Sequence, residues 1–178
     1  MSIMIKNRFE LARYFAKLGF KKGAEIGVAQ GYYSKILLDN IPGLELLCID
    51  SWSLPRWKDY YSEAQELLKS YKRAKLIRKP SMDTLIDIPE ESLDFVFIDA
   101  EHSYESVKED VNGWAKKVRH GGIVSGHDYY KTRHGNTGVI DAVNEYVKEK
   151  GYQLELTEWN NEDPNQDERQ PSWYFTRT

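Results

Sequence analysis

Five short polar clusters each close an apolar run of the chain: Gly27 to Gly31, Asp50 to Trp52, Ser81 to Asp83, Asp99 to His102, and His127 to Tyr129. The first, within Glu25-Ile26-Gly27-Val28-Ala29-Gln30-Gly31, spaces two glycines four residues apart at what reads as a strand-to-helix turn. Glycine allows positive φ and a close ligand approach, and the free N–H groups of the following helix favour an anion such as a carboxylate. A tight turn that binds nothing has the same pattern. The GxGxxG dinucleotide fingerprint is not met, because Ala29 replaces one glycine and the third is missing. Asp50 follows the turn by about 20 residues, the place where an acid can accept hydrogen bonds from a ribose diol; a helix cap or solvated loop acid is the alternative. Trp52 could lie against an adenine face or belong to the core. His102 could serve as a base.

These clusters need a frame that brings them together. Asn7 with Glu10 three residues on, and the facing residues Phe9, Ala12, Phe15, Ala16 and Leu18, predict a first helix closed by Gly19. Strands follow at 24–28, 44–50, 75–79 and 93–98, and at Ile123-Val124-Ser125, with helices over 55–73, 102–118 and 139–150 among them. Pro55 suits the first turn of its helix, and Gly121-Gly122 is expected to separate a helix from the strand after it. Two strands, 152–157 and 172–176, close the chain without a helix between them. Alternation of strands and helices predicts a parallel sheet covered on both faces. The helix-free connection, a polar loop at 158–171, lets the last strand run antiparallel. In such a sheet ligands sit beyond the carboxyl ends of the strands, where the five clusters fall.

With 178 residues, 40% of them hydrophobic, the chain suits one domain, 1–178. The net charge of −3 is small and its charges are interspersed, so no nucleic-acid footprint is expected. The densest basic run, Lys69, Lys72, Arg73, Lys75, Arg78 and Lys79, reads as a solvated face. The single cysteine, Cys48, sits in an apolar run and reads as a core thiol. No stretch is long enough to span a bilayer, and no secretory leader is apparent. A cytoplasmic protein without a membrane partner is expected.

Glu25-x-Gly27-x-x-x-Gly31, Tyr33-Ser34 and Ile49-Asp50 resemble motifs I and II of the class I S-adenosylmethionine-dependent methyltransferases. Phe97-Ile98-Asp99-Ala100-Glu101-His102-Ser103-Tyr104-Glu105, then Gly121-Gly122 and His127-Asp128-Tyr129, resemble the subgroup that holds catechol O-methyltransferase-like and macrolide-sugar O-methyltransferases. The resemblance runs over roughly residues 20–178, into the Pro171-Ser172-Trp173 strand. It implies a three-layer, Rossmann-like α/β fold with a mostly parallel seven-stranded sheet whose last strand is antiparallel. It implies S-adenosylmethionine as cofactor, with the methionine moiety at Glu25, Gly27, Gly31 and Ser34. The ribose would fall on Asp50 beside Ser51, the adenine near Trp52, Ser81 and Met82, and Asp99 would also touch the cofactor.

The same resemblance implies a divalent cation (Mg, Mn or Fe) on Asp99, His127 and Asp128, with Glu101 as the general base. His127 departs from the pattern, since the relatives carry a second acid there; an imidazole favours borderline metals over Mg. His127 could instead be the base with no metal, or be structural. The expected reaction is O-methylation of a small hydroxylated molecule. A metal-dependent hydroxylase on the same scaffold, or a non-catalytic cofactor-binding domain, are the rivals. Tyr32, Tyr33, Trp52, Trp57, Tyr60, Tyr61, Tyr129 and Tyr130 follow strand ends and could wall an aromatic or sugar substrate. Lacking a long N-terminal extension, the site is expected to be open unless a second subunit of a homodimer covers it.

Overall fold

The computed structural model describes residues 4–53, 58–162 and 169–178. Pro55 and Trp57 lie outside them, as does the middle of the polar segment 158–171. Helix α1 (Arg8–Lys17) begins as its sequence dictates. Asn7 accepts a hydrogen bond from the Glu10 N–H at 3.0 Å, and Gly19 leaves the helix at φ 75°. Leu11, Ala12 and Phe15 face inward, but Leu18, expected on that face, is exposed. Next come β1 (Lys22–Ile26), α2 (Tyr32–Asn40), β2 (Glu45–Asp50), α3 (Lys58–Leu68), β3 (Ala74–Arg78) and the short α4 (Ser81–Thr84). After these come β4 (Leu93–Ile98), α5 (Tyr104–Ala115), β5 (Val118–Gly126), α6 (Gly138–Lys150), β6 (Glu155–Leu156) and β7 (Trp173–Thr176).

The strands form one seven-stranded sheet in the order β3-β2-β1-β4-β5-β7-β6. β1 to β5 are parallel, and β7 inserts antiparallel between β5 and β6. Side chains alternate across the sheet, so each face has its own core. Phe95 and Phe97 of β4 join Leu46 and Cys48 of β2 and Phe15 of α1 on one face. Val96 and Ile98 join Ile26 of β1, Trp114 of α5 and Val143 of α6 on the other. Among the described residues, no helix is long and apolar enough to cross a membrane.

The sheet differs from expectation at Gly121-Gly122. These glycines do not separate helix from strand. α5 stops at Ala115, and β5 runs from Val118 through both glycines. Leu93 pairs with Val118 while Phe95 pairs with Ile123, so β5 bulges against β4. Gly121 turns at φ 75°, and a Cβ on Gly122 would lie 2.4 Å from the Asp94 carbonyl oxygen. The penultimate strand is also shorter than its sequence suggests, with only Glu155–Leu156 paired.

Candidate active site

β1 sits between β2 and β4, where the order of strands reverses, and a crevice opens there beyond the strand ends. A cleft of about 1110 Å³ occupies it, and all five polar clusters contribute to its lining. Gly27, Asp50, Ser51, Ser81, Met82, Asp99, Glu101, His102, His127 and Asp128 line it directly, as does Glu25 beneath the loop.

The glycine loop is built from backbone constraints. Gly27 has φ 87°, and a Cβ there would lie 1.9 Å from the Asp99 carbonyl oxygen, so only glycine lets β1 and β4 approach this closely. Gly31 precedes α2 at φ 84° and packs on Leu68 rather than lining the cleft. Ala29, between them, is held at φ 48°. Asp50 supplies the restraint. Its Oδ2 accepts the N–H groups of Val28 at 2.9 Å and Ala29 at 3.0 Å, and Oδ1 accepts that of Trp52 at 2.8 Å. A carboxylate offers about four lone-pair positions, so the room left on Asp50 is mainly at Oδ1. Trp52 is not on the cleft wall. It is 1% exposed, its Nε1–H donates to the Ala29 carbonyl at 2.8 Å, and its ring packs on Tyr61. An adenine cannot stack on a ring buried this way; Trp52 supports the loop from below.

Glu25 is buried on β1 and accepts a hydrogen bond from the Ser34 hydroxyl, itself fully buried. Burial pushes the Glu25 carboxyl up to about 8, outweighing the lowering by Ser34 and the nearby Arg8 charge. Arg8 enters from α1, a contribution the sequence did not suggest. Its Nη1 pairs with Asp99 Oδ2 at 3.1 Å and its guanidinium lies over the Tyr33 ring, 5.0 Å from the centroid.

Asp99 and Asp128, at the ends of adjacent strands β4 and β5, are joined by His102. Its Nε2 lies 3.6 Å from Asp99 Oδ1 and 3.1 Å from Asp128 Oδ2. One ligand atom from each of these three residues falls within 4.8 Å of the others, a spacing that could hold a metal ion. His102 therefore takes the third position in the cluster, where the sequence pointed to His127. His127 is 4% exposed and sits beside Asp128, Nδ1 to Oδ1 3.4 Å. Burial raises the Asp99 carboxyl, but the adjacent His102 ring and the charges of His127 and Arg8 overcome that and hold it well below the usual range. The neighbouring Asp99 raises His102 in turn; burial opposes it, and the Asp128 and Glu101 charges add to it. Glu101 is exposed on the rim, accepting a hydrogen bond from the His102 N–H at 3.2 Å.

Beyond β3, Ser81 donates its hydroxyl hydrogen to Asp110 of α5 and accepts the Trp114 indole N–H at 2.7 Å. Asp110 was missed in the sequence, although its signal is there: it interrupts the apolar stripe Val107, Val111, Trp114 of α5. Arg78 and Lys79, read as part of a solvated face, also line the cleft, and Arg78 lies over Tyr61. Of the aromatic residues, Tyr32, Tyr33, Tyr60 and Tyr130 line it. Tyr61 packs behind it on Trp52, and Tyr129 turns aside to donate to Asn144 at 2.7 Å.

The family model of a methyltransferase domain matches residues 24–129, from β1 to the end of the fifth polar cluster. No curated protein matches the chain in sequence. Among solved structures, the cofactor-bound Rv0187 from MTB is similar with a TM-score of 0.76 at 14% identity, over 95% of this chain and 78% of that one. An O-methyltransferase from Bacillus cereus in complex with SAH gives 0.71 at 13% identity, over 96% and 80%. The N-methyltransferase NodS from Bradyrhizobium japonicum WM9 gives 0.68 at 15% identity, over 96% and 94%. At these identities the likeness is one of fold.

Proposed function

The chain belongs to the methyltransferase-domain family, whose model spans more than half of it, and from that membership we propose that it is an S-adenosylmethionine-dependent O-methyltransferase of a small hydroxylated molecule. The observation that carries this reading is the meeting of the glycine loop, Asp50 and the Asp99–His102–Asp128 cluster in one cleft. The cofactor supplies a methyl group already activated by its sulfonium. The chain's own work is to hold both partners in line and to remove a proton.

The cofactor's methionine moiety lies along the Gly27–Gly31 loop, its carboxylate toward the start of α2 and its amino group near Glu25. Oδ1 of Asp50 accepts one ribose hydroxyl. The substrate hydroxyl lies toward Asp99 and Asp128, under Tyr32, Tyr60 and Tyr130. Glu101, exposed on the rim, takes the hydroxyl proton as the O–CH₃ bond forms and the S–CH₃ bond breaks. Two carboxylates and an imidazole are a donor set suited to Mn, Fe or Zn. Asp99, His102 and Asp128 would hold such a cation, which would lower the pKa of a bound hydroxyl and fix its position.

Calorimetric titration tests the reading. S-adenosylmethionine and S-adenosylhomocysteine bind, NAD does not, and incubation with small phenols and sugars yields O-methylated products by mass spectrometry. Glu101→Gln keeps cofactor affinity and lowers turnover by about 10²-fold, the usual loss of one general base. A chain that binds NAD and neither sulfur ligand sinks the proposal. Iron-dependent oxygen consumption with no methyl transfer points to a hydroxylase.

A further inference from the structure

Gln170, on the stretch of chain that leads into β7, lines the cleft together with Asp128 and Tyr130. Its place is fixed from both sides. β7 pairs antiparallel with β5 as far as Gly126 and Trp173, and the Trp173 indole N–H donates to the His127 carbonyl at 3.2 Å. The Tyr129 N–H then donates to the Pro171 carbonyl at 3.0 Å. The chain before β7 therefore runs back along His127–Tyr129 and carries Gln170 past the end of β5, at the end of the cleft that receives the substrate hydroxyl. On the other side, the Thr157 N–H donates to the Ser172 carbonyl and the Ser172 N–H to Thr157 Oγ1, both at 2.9 Å, and the Asn160 N–H donates to the Arg169 carbonyl at 3.0 Å. Trp159, on that second stretch, sets its ring edge-on against Tyr130 with 5.7 Å between centroids.

The Gln170 side chain is half-buried, and no described residue bonds to its amide. Its Oε1 is sealed inside the wall without a partner. Buried polar groups as a rule have partners, so this exception calls for a reason. With Oε1 closed off, the NH₂ group is the polar end that can meet the cleft. Turning the amide over would bury two N–H donors in place of one oxygen. An apolar side chain would pack here at less cost, so the amide is best explained by what its free end meets when substrate binds.

We infer that Gln170 is a specificity residue whose NH₂ group donates a hydrogen bond to a neutral oxygen on the substrate atom next to the one that carries the reacting hydroxyl. This rests on the methyl-transfer reading above. An ammonium in that position has only hydrogens to offer and would face the NH₂ group donor to donor. Asp99, Glu101 and Asp128 line the same end of the cleft and disfavour an anion there. What remains is a hydroxyl or ether oxygen. The substrate class selected in this way is a ring with two adjacent oxygens, one methylated and the other held by Gln170, with Tyr130 and Trp159 as the wall beside it.

The test compares ortho-methoxyphenol with ortho-ethylphenol, phenols of nearly the same shape that differ by an ether oxygen in place of a methylene. Each is incubated with S-adenosylmethionine and its methylation followed by mass spectrometry. The wild-type chain shows a kcat/KM about tenfold higher for the methoxy compound, the worth of one net hydrogen bond. Gln170→Met keeps the length of the side chain and removes both ends of the amide. In that variant the methoxy compound loses about tenfold and the ethyl compound is turned over as before. S-adenosylhomocysteine binds the variant as it binds the wild type, which reports an intact cleft. A merely structural role would slow both phenols alike. Equal wild-type kcat/KM for the two phenols, a preference kept in Gln170→Met, or a loss shared by both phenols overturns the inference and leaves the cofactor reading standing. So does methylation of neither phenol by a wild-type chain that binds S-adenosylhomocysteine. A wild-type chain that binds neither S-adenosylmethionine nor S-adenosylhomocysteine overturns both.

Discussion

At the scale of single residues, the site is a set of carboxylates whose neighbours decide their charge. Glu25 is 2% exposed, and burial pushes its carboxyl from the ordinary 4.5 up to about 8. The unfolded chain releases this proton near 4.5 and the folded chain holds it until about 8. Between those values the native state carries one proton more, so stability falls as pH rises, by up to about 1.4 kcal/mol per pH unit. The contribution is intact below the unfolded value and exhausted above the folded one. Glu25→Gln keeps an acceptor for Ser34 and cannot ionise. Urea denaturation of both proteins between pH 5 and pH 8 should show the decline in the wild type flattened in the variant, which becomes the more stable of the two at the alkaline end. Parallel declines would mean that Glu25 is not the group responsible. Residues such as Glu25, Asp50, Asp99 and Asp128 were legible because each lies in or closes an apolar run, and strand ends share a rim. Arg8 was not, because its pairing with Asp99 joins residues 91 positions apart and nothing local marks it. His102 displaced His127 from the candidate metal set for a similar reason: spacing along a chain says which loop carries a residue, not which way its ring turns.

At the scale of elements, glycines and one buried indole hold the cleft open. The turn after β1 was readable from Gly27 and Gly31, but the reason for Gly27 is a long-range contact. Its Cα faces the Asp99 backbone, where a Cβ would come within 1.9 Å of the carbonyl oxygen, at a φ of 87°. Strained backbone of this kind costs about 1–3 kcal/mol before any clash is counted. Gly27→Ala therefore lowers the unfolding free energy by at least that much in a denaturant titration, and it pushes β4 away, so cofactor affinity falls together with stability. A variant that keeps wild-type stability would show that the two strand ends are not held this tightly. Trp52 shows the opposite case. A tryptophan after a ribose-type aspartate suggests a base platform, yet its hydrogen bond to the Ala29 carbonyl makes it a prop for the loop. The doubled glycine at 121–122 reads as a boundary because glycine is sparse in strands; its bulge against β4 depends on a partner strand that local pattern does not reveal.

At the scale of the whole molecule, the sheet separates two cores that share few side chains, and the cleft is where both layers meet. Arg8 arrives from the helices packed on one face and Asp110 from α5 on the other, while β1, β2, β4 and β5 deliver their ends between them. The alternating order of elements was legible because helical and strand periods differ, and the antiparallel last strand because no helix joins it to the one before. A ligand spanning from the glycine loop to Asp110 would touch both layers at once and bind only when both are in place. Such a ligand stabilises the native state by about 2.7 kcal/mol at a hundredfold excess over its Kd. For a domain of this size, each kcal/mol moves the melting temperature by roughly 2–4 °C. S-adenosylhomocysteine at that excess should therefore raise Tm by about 5–10 °C in a calorimetric scan. Adenosine and homocysteine added separately each reach part of the cleft, and together at the same concentration they raise Tm by less, because neither ties the glycine loop to α5. If the two fragments match the intact molecule, the cleft behaves as two independent pockets and the joining of the layers through one ligand is wrong.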